Sequence, residues 1–204
     1  AVDPASGIVY ETEDNDPDSG FYRYLPNDRA ARVGALEAGG RLEMLRVVGA
    51  DGADLDQPET GQTFAVDWVP IDDPSALPEA AQGSFLYFGP SMPYTEGRDR
   101  GGARFRRLEG CWYQAGSIWF VDTSGGADGN GVVWRYEPDP DETQGGTLEA
   151  FFVAADAPAA DNPDNITLSP RGGIVCCEDN TAAEGTRLLG FTRDGASFEF
   201  ARNR

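Results

Sequence analysis

Three stretches of this chain follow one plan. The first runs Gly7-Ile8-Val9-Tyr10-Glu11-Thr12-Glu13-Asp14-Asn15 and is followed by Phe21-Tyr22-Arg23-Tyr24. The second runs Gly116-Ser117-Ile118-Trp119-Phe120-Val121-Asp122-Thr123-Ser124, followed by Val133-Trp134-Arg135-Tyr136. The third runs Gly172-Gly173-Ile174-Val175-Cys176-Cys177-Glu178-Asp179-Asn180, followed by Leu188-Leu189-Gly190-Phe191. Each is a turn glycine, a short apolar run, an acid at its end, a polar loop and a second apolar run. A further run follows each unit, from Arg41, Thr147 and Ala196. The second and third units also have one upstream, at Glu109 to Tyr113 and Asp164 to Leu168. Four strands recurring at about 50 residues is the period of a propeller blade. The sequence therefore predicts an all-β fold, a β-propeller with about three four-stranded blades. The blade-like units are 1–48, 105–155 and 162–204, with an insertion over 49–104. Three blades do not close a comfortable ring. The chain is expected to be part of a larger one, with an unpaired edge or exposed apolar face on a terminal blade.

The repeat also places acids. Glu13, Asp122 and Glu178 occupy the same position in the three units. One such acid alone reads as a solvated turn residue, but three in register would converge near one end of a central channel. The stretch from Pro163 to Asn180 sharpens this point. It is two apolar runs joined by Pro170-Arg171-Gly172-Gly173, with Asp164 and Asn165 at one end and Glu178, Asp179 and Asn180 at the other. A hairpin folds those ends together. Carboxylate and amide oxygens grouped in this way are the donor set of a hard cation.

Charge narrows the partners. The net charge is -19, from 35 acids against 16 bases, and every base is arginine. A surface this acidic repels nucleic acid and anionic membranes. With no histidine, the commonest general base and the usual zinc ligand are missing. Chemistry must run on carboxylates, arginine, hydroxyls, cysteine or bound metal. Cys111, Cys176 and Cys177 read first as small buried hydrophobes, with a bridge from Cys111 and a soft metal ligand as alternatives. Adjacent strand residues face opposite ways, so Cys176 and Cys177 cannot share a partner.

The insertion is irregular. The segment Asp51-Gly52-Ala53-Asp54-Leu55-Asp56 looks like a calcium loop but lacks the closing glutamate of an EF-hand, and reads as an acidic turn. Thr63 to Pro70 is a strand with Phe64, Val66 and Trp68 on one face. From Asp72 to Arg104 the composition predicts a long loop, with a weak helical signal at Pro78 to Ala81. Arg98, Arg100, Arg104, Arg106 and Arg107 read as partners of nearby carboxylates, or as an anion-guiding lid.

The phrases Val2-Asp3-Pro4-Ala5-Ser6-Gly7-Ile8-Val9-Tyr10 with Thr12-Glu13-Asp14, and Leu108-Glu109-Gly110-Cys111-Trp112-Tyr113, resemble the PhoX-type alkaline phosphatases. So do Asp122-Thr123-Ser124-Gly125-Gly126, Pro163-Asp164-Asn165-Ile166 and Cys177-Glu178-Asp179. The resemblance covers most of the chain outside the insertion. It implies a β-propeller, export to the periplasm or beyond, and hydrolysis of a small phosphate ester at a cluster of calcium and iron. Carried over by residue, it implies Glu13, Glu109 and Glu178 as first metal ligands, with Asp14, Asp164, Asn165 and Asp179 behind them. The family's iron-binding cysteine lies upstream of these repeats, and Cys111 stands in a different context. In such a phosphatase Arg135 or Arg171 would steady the developing charge; either also reads as an ion-pair partner of a neighbouring acid. Two other functions fit the same residues. One is a calcium-dependent propeller lactonase, whose repeats Pro163-Asp164-Asn165 also resembles. The other is a non-catalytic propeller that binds metal or a partner.

Overall fold

A computed structural model describes residues 1–81, 87, 89–141, 144–180 and 185–203. The parts of the expected insertion and of the third unit at 82–86, 88, 181–184 and 204 lie outside the described residues. The chain is mostly antiparallel β-sheet. Four strands, β1 (Val9–Thr12), β2 (Phe21–Pro26), β3 (Gly40–Val47) and β4 (Thr63–Ile71), pair in sequence order. The next four, β5 (Leu108–Gln114), β6 (Ser117–Asp122), β7 (Val132–Pro138) and β8 (Gly146–Val153), do the same. So do β9 (Pro163–Leu168), β10 (Ile174–Glu178), β11 (Arg187–Phe191) and β12 (Ser197–Arg202).

Period-two patterning stacks these units face to face. On β6, Ile118 and Phe120 join one buried cluster with Tyr10, Phe21, Trp134 and Leu148. Trp119 and Val121 point the other way, into a second cluster with Ile166, Cys176, Leu189 and Phe191. That is why β6 reads as a continuous apolar run: it is packed on both faces. Phe21 and Phe120 stack across the first cluster with ring centroids 4.1 Å apart. Burying one such side chain stabilises the fold by about 1.5–3 kcal/mol.

The first two units are joined through the insertion. β4 pairs with β3 on one side, and its first half, Thr63 to Val66, pairs with Glu149 to Gly146 of β8 on the other. One eight-stranded sheet results, ordered β1-β2-β3-β4-β8-β7-β6-β5, beside a four-stranded sheet. The insertion strand thus bridges the outer edges of two units. Its alternation decides its facing: Val66 is buried in the first cluster, with Phe64 and Trp68 packed against it. Val69 and Ile71 enter a third cluster with Tyr22, Met44 and Tyr94.

One correction concerns the expected long loop, which contains a helix, α1 (Met92–Asp99). Ser91 caps it by accepting the backbone N–H of Tyr94 at 3.1 Å, and Pro93 sits in its first turn, where no donor is needed. Tyr94 pins the helix over the outer face of the first unit. Among the described residues no helix is long and apolar enough to cross a membrane. At the other end of the stack, the outer face and edge of the four-stranded sheet expose Leu188 (39%), Phe198 (48%) and Phe200 (63%). This is an apolar face of the kind expected on a terminal blade.

Candidate metal centre

Acid-bearing segments after β1 and at the starts of β5 and β9 come together around Glu109. β5 and β9 meet there at Gly110. A Cβ on Gly110 would lie 2.6 Å from the backbone N of Ile166, 2.7 Å from Cα of Asn165 and 2.9 Å from O of Asp164. Only glycine allows that approach, and it sets Glu109 beside Asp164. β1 joins from the other side, where the Thr12 hydroxyl donates to the Glu109 carbonyl at 2.6 Å. Asp14 follows two residues later.

Arg107 binds this group together. Its Nε donates to Asp14 at 3.1 Å and its Nη2 to Glu109 at 3.0 Å. The Asp179 carboxylate adds to the negative field around it. Its backbone sits at φ 52°, in the left-handed region a non-glycine residue seldom adopts. Two hydrogen bonds hold it there: its N–H donates to Asn15 O at 3.1 Å, and its carbonyl accepts from Thr123 N at 3.0 Å. Thr123 is fully buried, and its hydroxyl donates to Pro163 O at 2.8 Å, so one residue ties Arg107 to the strand carrying Asp164.

The electrostatics are those of crowded carboxylates. Burial pushes the Glu109 carboxyl up to about 7, reinforced by the charges of Asp14 and Asp164 and by a hydrogen bond with Asp14; Arg107 opposes this. Glu109 holds its proton up to about neutrality because ionising it would add a third negative charge in a partly dry place. Asn165 is exposed beside them, its amide 3.5 Å from an Asp164 carboxylate oxygen.

The remaining sequence candidates are placed elsewhere. Glu178 is buried and taken by Arg187, whose Nε and Nη2 approach at 2.8 and 2.5 Å. The backbone N–H of Asp161 donates to it as well, at 2.9 Å. Glu13 accepts the Tyr22 hydroxyl at 2.6 Å and is bonded to Ser91, so it faces α1; burial pushes its carboxyl upward. Arg135 lies along β7, paired with Glu149 at 2.5 Å and set over the Trp119 ring. It lines a separate cavity of about 280 Å³ with Trp119, Phe151, Leu168 and Ile174. Arg171 is exposed in the turn after β9, at the far end of the hairpin from Asp164 and roughly 15 Å or more along the strand.

The insertion arginines Arg100, Arg104, Arg106 and Arg107 are paired with carboxylates, while Arg98 donates to the carbonyls of Ala53 and Gly102. Arg107 was expected as a partner of nearby carboxylates, and it is one, paired with Asp14 and Glu109; which acids it joins is set by the left-handed turn before β5, which leaves no local sequence mark.

Asp14, Glu109 and Asp164 with Asn165 form a hard-oxygen donor set with excess negative charge, which fits calcium. Among the described residues, no three acidic or thiol side chains close on a single point. The donors therefore stand at one rim and not around a finished cage. They do not include a soft ligand. Cys111 rests against Tyr10 O at 3.9 Å, its thiol pushed up by burial, and its charged neighbours are the amino terminus and Glu11. Cys176 is buried in the second cluster, and all three cysteines are free.

A search of curated proteins returned no match. The solved structure of Pseudomonas fluorescens PhoX in complex with vanadate, a transition state analogue, superposes with a TM-score of 0.61 at 15% identity. The superposition covers 90% of this chain and 39% of that one, so this chain spans well under half the length of the PhoX chain it matches. The sequence profile described as alkaline phosphatase PhoX matches residues 1–204. From its first residue to its last, the chain belongs to the alkaline phosphatase PhoX family.

Proposed function

We propose that this chain supplies one flank of a divalent-cation site at which a phosphomonoester is hydrolysed. Asp14, Glu109 and Asp164 are its carboxylate donors, with Asn165 and Asp179 beside them. The observation that supports this most is the crowding of carboxylates around Glu109, which is relieved at present only by a proton and by Arg107. Family membership supplies the reaction class. A cation held there would neutralise the ester's charge and lower the pKa of a bound water.

The chain's own residues do the rest. Glu109 gives up its proton near neutrality and so offers a full carboxylate as the pH becomes alkaline. Arg107 carries a planar fork matched to carboxylate or phosphate oxygens, and its fork would be available to the ester if Asp14 and Glu109 held a cation instead. Arg107 therefore takes the charge-steadying role in place of Arg135 and Arg171. Glu178 and Glu13, committed to Arg187 and Tyr22, hold the loops around the centre. Iron as a second metal, and a periplasmic or secreted location, rest on the family alone. Since the chain spans 39% of the PhoX chain, the activity is assigned to the complete propeller.

The test is hydrolysis of p-nitrophenyl phosphate by the full protein, with calcium or with EDTA, and again with Arg107→Ala and Glu109→Gln. Chelation and each substitution should lower kcat by about 10²-fold or more. Unchanged turnover in all three cases defeats the proposal. Lactone hydrolysis in place of phosphatase activity would instead favour the calcium-dependent lactonase reading.

A further inference from the structure

The three acids in register end in different surroundings. Glu178 is matched by Arg187, and Glu13 by Tyr22 and Ser91. Asp122 is fully buried; one carboxylate oxygen accepts the Arg106 N–H at 3.2 Å, and the other, Oδ1, has no partner. Across from it lies Asp56. Its Oδ2 takes Arg104 at 2.8 Å, while its Oδ1 is also buried and without a partner. Arg106 Nε stands 4.0 Å from that oxygen, too far to satisfy it. The two carboxylates repel one another, and burial together with the Asp56 charge pushes Asp122 up to about 8.

The loops that carry the bare oxygens are fixed to each other, since Gly126 N–H donates to Asp56 O at 2.7 Å. Gly125 packs its backbone against the Asp122 carboxyl and hydrogen-bonds to it: a Cβ there would stand 2.7 Å from the carboxyl carbon. The acidic turn at 51–56 has the look of a calcium loop without its closing carboxylate. Asp122 supplies one from another strand.

We infer that Asp56 and Asp122 form a second hard-cation site of the calcium class, buried between the insertion's acidic turn and the end of β6. Bare buried carboxylate oxygens are costly unless a cation or donor meets them, and backbone carbonyls and water complete a calcium shell readily. The site would fasten the insertion to the segment Arg106–Arg107, which leads directly to Glu109. It does not depend on the reaction proposed above.

The test uses the full protein carrying Glu109→Gln, so that the first centre is disabled. Calcium at about 100 times its Kd should still raise Tm, by about 5–10 °C. Adding Asp122→Asn or Asp56→Asn should abolish that rise, and flow dialysis should show one calcium fewer per chain. In EDTA, Asp122→Asn should melt no lower than its parent, because the amide keeps the carboxyl's shape and burial already disfavours its charged form. A calcium-induced rise that survives both substitutions overturns the inference. So does an Asp122→Asn loss that is equal in calcium and in EDTA, which would make Asp122 an ordinary acceptor for Arg106. If Asp122→Asn does not fold, Asp56→Asn, nearer the surface, gives the same readout.

Discussion

Gly110→Ala tests whether the candidate centre depends on the pressed contact between β5 and β9. The added methyl meets three backbone atoms at 2.6, 2.7 and 2.9 Å, none of which can rotate away. Restoring ordinary contact requires the strands to part by about 1 Å. Overpacking of that kind costs about 1–3 kcal/mol. For a chain of this length each kcal/mol moves Tm by about 2–4 °C, so the variant should melt about 2–12 °C lower. The shift also carries Glu109 away from Asp164, whose charge helps hold its carboxyl up. A displacement of about 1 Å at a reacting centre costs about 10²-fold in turnover. Thermal melts followed by circular dichroism, with phosphatase assays on the same samples, read both effects. An alanine variant with the parent's Tm and turnover would refute the argument that the close approach assembles the site.

Glu178→Gln should destabilise the fold by about 3–5 kcal/mol in denaturant titration, because it strands Arg187 without its partner; a loss under about 1 kcal/mol contradicts that role. Without metal, stability should fall as pH rises from the ordinary carboxylate range through about 7. Glu109 is raised in the folded state, so the native protein binds more protons than the unfolded chain across that window. Melts in EDTA from pH 5 to 8 check this, and Asp122, raised to about 8, should prolong the decline. Ser91→Ala should cost about 1 kcal/mol by removing the cap of α1, read as a lower melting temperature.

Local pattern made the strands legible, because alternating apolar residues and turn glycines report directly on pleat and hairpin. It also singled out Asp14, Glu109 and Asp164, which lie near one another in the fold. It could not apportion the acids. Whether Glu178 is a ligand or an ion-pair partner depends on Arg187, which reaches it only after β10 and β11 pair. The bridge from β4 to β8 was equally hidden, since the pairing joins residues far apart in sequence and leaves no local mark. The helix did leave one: Ser91 followed by Pro93 is a capping signal, set among glycines and prolines that favour a loop. The neighbours of Arg135 were also hidden, since Glu149 and Trp119 reach it only through the pairing of β7 with β8 and β6.

The most direct test of the central claim is the titration of Glu109 itself, followed by carboxyl ¹³C NMR in the full protein with and without calcium. Without metal, the carboxyl should titrate with a midpoint of about 7. With calcium bound, it should remain ionised down to the ordinary carboxylate range or below, because the cation favours the charged form. A Glu109 resonance that titrates identically in calcium and in EDTA would contradict the account.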